Sequence, residues 1–65
     1  MNEYKLTFYM IGGAVITCTV TTDQTKTDYA TELARTDRRI VNDDQNRKTT
    51  IVNMQNCNAV EIAEV

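Results

Sequence analysis

The chain contains no histidine, no serine and no proline, and only two glycines and two cysteines among 65 residues. Each shortage closes a route. Without histidine, the commonest general base and metal-ligating side chain is missing. Without serine there is no serine nucleophile. Two cysteines with no histidine fall short of the four nitrogen or sulfur ligands of a structural zinc site. A cysteine nucleophile needs an activating neighbour, and neither Cys18 nor Cys57 has one in sequence. Both glycines stand together at Gly12-Gly13, so no glycine loop is left to cradle a phosphate. No apolar run approaches the ~18 residues of a membrane span, and no leader is expected ahead of the first patterned stretch. Asp43-Asp44 is the one adjacent pair of carboxylates. Its setting, Asp43-Asp44-Gln45-Asn46, reads as a solvated turn rather than as a metal or acid/base pair. These gaps describe a protein that binds rather than catalyses, needs no cofactor or metal, and resides in the cytoplasm with its thiols reduced.

Length allows one domain, residues 1–65. A chain of this size buries only about 60% of the surface its unfolded form exposes, and one small core supplies roughly 3–5 kcal/mol. With no zinc site in prospect, a homo-oligomer is the expected supplement. Apolar residues make up 42% of the chain, which rules out a disordered tail, and the net charge of -2 neither announces nucleic acid nor excludes it. Threonine is abundant and suits pleated strands.

What is present begins with a hairpin. Leu6, Phe8 and Met10 fall on one face of a first strand, and Ile16, Cys18 and Val20 on one face of a second, with Gly12-Gly13 between. A two-residue loop would set the apolar face of one strand against the polar face of the other. An odd loop cures this. With Ile11-Gly12-Gly13 as a three-residue loop, Tyr4 faces Val20, Leu6 faces Cys18 and Phe8 faces Ile16. Gly13 then takes the left-handed position that follows a type I turn. A loop of Gly12-Gly13-Ala14 is the alternative.

The pattern continues with a helix capped by Thr22 or Asp23 and running to about Thr36. Its inward stripe is Tyr29, Ala30, Leu33 and Ala34, with Lys26 beside it. Arg38 to Asn42 reads as a third strand, and Arg47 to Met54 as a fourth. The faces of Ile40-Val41 and Ile51-Val52 stay open. The amides of Asn53, Gln55, Asn56 and Asn58 favour a tight or 3₁₀ turn, and Ala59 to Val65 alternates again. The order β-β-α-β-β-β is that of an α+β domain, a small, mainly antiparallel sheet with one helix packed on it. The sheet is short enough to curl into an open barrel.

This outline resembles the small proteins encoded by bacterial phages and prophages. They pair a glycine-turned hairpin and a short helix with an ending such as Ile51-Val52-Asn53-Met54-Gln55-Asn56-Cys57-Asn58-Ala59-Val60-Glu61-Ile62. The ending also resembles the tail of Sm-like small barrels, although here the helix follows the second strand instead of preceding the first. That departure argues against ring-type RNA binding. The phage resemblance implies a non-enzymatic protein that blocks something in the host, including inhibitors of bacterial immunity. It transfers no site residue. The expected function is inhibition by occluding or sequestering a host factor, either a defence protein or a small phosphorylated signal, in the host cytoplasm. The alternatives are a nucleic-acid-binding or transcription-modulating small barrel and a structural or assembly protein. No membrane partner is expected.

Two residue groups are candidates for the site. Arg35, Arg38, Arg39, Arg47 and Lys48 hold five of the seven basic charges. If strand pairing brings them together, they form a patch for a phosphate or an acidic surface. The competing reading is a solvated, charge-guarded strand edge. Tyr9 points away from Phe8 and joins Ile11 and Val15 near the hairpin end, as a dimer seam, a partner site or isolated surface apolars.

Overall fold

The computed structural model describes residues 1–35, 37–43 and 46–65, with the backbone alone for Arg39 and Asn42. The expected positions Thr36, Asp44 and Gln45 lie outside the described residues. Strands β1 (Asn2–Met10) and β2 (Val15–Thr22) lead into helix α1 (Lys26–Ala34). Strands β3 (Arg38–Asp43) and β4 (Lys48–Asn53) follow, and a one-turn 3₁₀ helix, Met54–Asn56, joins β4 to β5 (Cys57–Glu64). The chain is therefore α+β with the order β-β-α-β-β-β.

The opening hairpin takes the odd loop. Tyr4 lies opposite Val20, Leu6 opposite Cys18 and Phe8 opposite Ile16. The Met10 N–H donates to the Ala14 carbonyl at 2.8 Å, and the Gly13 N–H donates to the Met10 carbonyl at 3.1 Å, which closes Ile11-Gly12-Gly13 as the loop. Gly13 has φ 99°, as the register requires, but Gly12 has φ 101° as well. A positive φ at the second central residue belongs to a type II turn, not the type I turn expected. Both glycines therefore hold backbone conformations that other residues avoid.

The strands separate into two antiparallel sheets, β2-β1-β5 and a β3-β4 ribbon, and neither closes into a barrel. β1 is central in the larger sheet, where the alternation of Tyr4, Leu6 and Phe8 buries all three. Cys18 and Val20 of β2, Tyr29 and Leu33 of α1, and Val41 and Val52 of the ribbon complete the core. The open question in the ribbon is thereby answered. Each strand carries an Ile-Val pair, the valines are buried, and Ile40 and Ile51 face each other on the outside.

The helix begins later than its sequence suggests. Thr22 ends β2, and its hydroxyl accepts the Gln24 N–H at 3.2 Å, which forms a local turn. Thr25 is the cap instead, accepting the Asp28 N–H at 3.2 Å. Only Tyr29 and Leu33 of the stripe are buried; Ala30 and Ala34 are exposed. The Tyr29 ring lies 6.2 Å from that of Tyr4, whose hydroxyl donates to the Gln24 carbonyl at 2.9 Å. One aromatic pair thus fastens both the helix and its entry loop to the central strand.

Both cysteines are free thiols. Cys18 lies opposite Leu6 and Cys57 opposite Met10, on opposite flanks of β1. Four residues of strand separate those positions by about 13 Å, well beyond the roughly 7 Å limit between Cα atoms in a disulfide.

Candidate functional site

The basic residues do not gather as strand pairing was expected to gather them. The ribbon register sets Arg38 opposite Asn53 and Asp43 opposite Lys48. Arg38 and Arg39 therefore lie at one end of the ribbon, with Lys48 and Arg47 at the other. The five positions between Arg38 and Asp43 amount to about 17 Å. Arg35 caps the C-terminal end of α1, close in sequence to Arg38. Arg38 lines a shallow cleft of about 400 Å³ with Asp37, Asn53 and Gln55. The Arg39 side chain lies outside the described residues. Arg47 has φ 54°, a left-handed conformation carried by a residue with a side chain. The basic charges thus form two separate groups, and the cleft at Arg38 holds an opposing carboxylate.

The apolar candidates do come together. Tyr9 lies directly opposite Val15 across the β1–β2 pair, and Ile11 begins the loop that joins these strands. Ile11 is 69% exposed, Val15 56% and Tyr9 37%. The Tyr9 hydroxyl is hydrogen-bonded to the Glu61 carboxylate of β5. That bond, with lesser contributions from burial and the Glu61 charge, raises the Tyr9 hydroxyl above its usual pKa of 10.0. The tip of the ring is therefore tied from β1 to the neighbouring strand β5, with its body partly exposed to solvent. Immobilising a tyrosine before contact reduces the ordering cost of binding, and tyrosine is enriched in protein interfaces.

A second apolar surface escaped the sequence reading. Ile40 and Ile51 lie directly opposite on the outer face of the ribbon, 63% and 69% exposed. The repeated Ile-Val dipeptide announced it, because adjacent strand residues point to opposite faces. The missing information was which face is covered.

A groove between α1 and β5 also went unread. Lys26, Thr27, Ala30, Thr31, Ala34, Val60 and Ile62 line a space of about 510 Å³. It exists because the helix buries only a narrow stripe, which leaves small residues beside half-buried valine and isoleucine.

Among the described residues, no group of three or more histidine, cysteine, aspartate or glutamate side chains could hold a metal ion. No helix among them is long and apolar enough to cross a membrane. Compared with known proteins, the chain matches no family model, no curated protein and no solved structure.

Proposed function

We propose that this protein works by binding without catalysis, and that it inhibits a host protein by covering a surface with the Tyr9, Ile11 and Val15 patch. The observation that carries this reading is the register itself. It places Tyr9 opposite Val15 at the loop end of the first hairpin and leaves both beside exposed Ile11. A glycine-closed loop holds that end, and the Glu61 carboxylate fixes the tyrosine tip. The outline shared with small phage proteins supports a target in a bacterial host, such as a defence protein. The separation of the basic residues weighs against a phosphorylated ligand or nucleic acid as the principal partner.

The test is a photo-crosslinking amino acid at Val15 in host lysate, combined with Ile11→Glu and Tyr9→Ala variants. One protein should be crosslinked, and both variants should abolish its capture and the inhibition while their thermal midpoints stay within a few degrees of the parent. Capture should survive raised salt. Binding to generic DNA or RNA that falls steeply with salt would replace this reading with the nucleic-acid alternative. A large ligand-free assembly would replace it with a structural role.

A further inference from the structure

We infer that β5 is a dimerisation edge, and that a second copy of this chain pairs with it antiparallel about a two-fold axis through Ile62. This inference does not rest on the Tyr9 patch, although the two adjoin: Ala59 lies opposite Tyr9, and Glu61 holds the Tyr9 hydroxyl.

The two edges of the larger sheet are not alike. β2 is flanked by the ribbon, and the Thr19 N–H on that side is taken by the Asp43 carboxylate. β5 has no strand beyond it among the described residues. The Val65 N–H donates to the Glu3 carbonyl of β1 at 3.2 Å, which makes that a hydrogen-bonded pair. Alternation along an antiparallel ladder then makes Ala63, Glu61 and Ala59 the residues bonded to β1. The N–H and C=O groups of Val60, Ile62 and Glu64 point the other way, along the outer edge. Glu61 and Glu64 are the charged side chains on this edge, and the other usual guards are missing. Residues 59 to 64 include no lysine and no proline, and the register shift of β5 lies at its beginning, next to Cys57.

The edge complements itself in one register. Centring the axis on Glu61 would set two like charges directly opposite. Centring it on Val60 would run the pairing into the shifted segment at Cys57. Centring it on Ile62 sets Ile62 against its own copy, Val60 against Glu64 and Glu61 against Ala63. Seven residues from Ala59 to Val65 are then paired, about 24 Å of strand.

The groove supplies the rest of the interface. Val60 and Ile62 share it with Ala30, Ala34, Thr27 and Thr31 of α1, all small residues along its wall. The partner's Ile62 and its own helix would enter this space. A strip 24 Å long, widened by a helix about 10–12 Å thick, projects to roughly 240–290 Å² per partner, the scale of a small, concentration-dependent contact rather than of a standard-size interface. The isolated chain has reason to gain it. Its accessible surface is 4479 Å², somewhat above the about 4200 Å² expected for a compact monomer of this mass. An isologous contact of this kind closes at two copies.

The test is sedimentation over a concentration series, with variants chosen to leave the monomer folded. Glu64→Pro removes an outward N–H at an exposed edge position, where proline is tolerated. Ala30→Arg fills the groove from an exposed helical site with a good helix former. Each should raise the dimer dissociation constant at least tenfold, while Val15→Glu should leave it unchanged. In a Cys57→Ala background, Ile62→Cys should crosslink to its own copy on oxidation, because hydrogen-bonded partners lie about 5.5 Å apart, within disulfide reach. Glu64→Cys should not, since it faces Val60. A monomer at every concentration overturns the inference. So does a dimer that ignores both Glu64→Pro and Ala30→Arg but is broken by Val15→Glu or Ile51→Glu. Circular dichroism of both variants verifies that they fold, and a folded Ala30→Arg chain alone is enough to decide.

Discussion

The carboxylate of Asp43, on β3, accepts the main-chain N–H of Thr19 on β2 at 3.4 Å. This contact joins the ribbon to the larger sheet. The same carboxylate accepts from the Asn46 N–H at 3.3 Å and from the Asn46 side-chain amide at 2.8 Å. One side chain, only 2% exposed, therefore fastens both the turn of the ribbon and the flank of β2. Three hydrogen bonds to a buried charge explain why a carboxylate is retained beside an apolar core.

Replacing Asp43 tests that role. Asp43→Ala strands buried donors and should cost about 2–3 kcal/mol, whereas Asp43→Asn keeps an acceptor oxygen and should cost about 1 kcal/mol. Urea denaturation with an unchanged slope measures both. Equal losses in the two variants would mean that the hydrogen bonds at this position contribute little.

Arg47 stands in a left-handed conformation at φ 54°. For a residue with a Cβ this conformation costs about 1–2 kcal/mol, part of which glycine returns through its more flexible unfolded state. Arg47→Gly should therefore stabilise the chain by about 0.5–1 kcal/mol in the same denaturation experiment. A loss of stability would show that the arginine makes a contact worth more than its strain. A stabilised variant with weakened partner binding would show that the strain serves recognition.

Cys18 sets the alkaline limit. Burial pushes its thiol above the ordinary value of 9.0, and the Asp43 charge adds to this, against a hydrogen bond with Thr50 and the Lys48 charge. The folded chain thus keeps a proton that the unfolded chain releases. The corresponding stability is whole below pH 9 and is lost as pH rises through the raised folded value. Denaturation at intervals from pH 7 to pH 10 should show this decline, and Cys18→Ala should flatten it while lowering stability at every pH through lost packing. Tyr9, whose hydroxyl is raised in the same direction, adds to the slope near pH 10, and Tyr9→Phe should reduce it. At neutral pH a thiol reagent should modify half-buried Cys57 and spare Cys18 until the chain unfolds.

The fold was most legible where local pattern and global burial agree. The odd loop of the first hairpin follows from matching Phe8 to Ile16, because a single-residue slip reverses every side chain. The one-turn break at Met54–Asn56 follows from its amides, and Asn53 accepts the Gln55 N–H at 3.1 Å to start it. In the second hairpin the exact register was not legible, because no glycine marks the connection between Asp43 and Lys48. The distance between Arg38 and Lys48 was legible and was missed, because any antiparallel hairpin sets the first residues of β3 against the last residues of β4. The helix start failed for a different reason. Thr22 and Thr25 are equally good caps in isolation, and the length of β2 decides between them.

The ribbon offers the sharpest contrast between adjacent residues. Ile51 and Val52 share one strand and nearly the same chemistry, yet Val52 is 1% exposed and Ile51 lies outward against Ile40. Val52→Ala removes methyl groups from the core and should cost about 2 kcal/mol. Ile51→Thr keeps a β-branched side chain on a solvent face and should change stability by no more than about 0.5 kcal/mol. Thermal melts of the two variants read the difference directly. If Ile51→Thr instead destabilises the chain in a concentration-dependent way, the outer face of the ribbon is covered by another molecule in solution. Stability would then depend on protomer concentration, as it does wherever folding and association are linked.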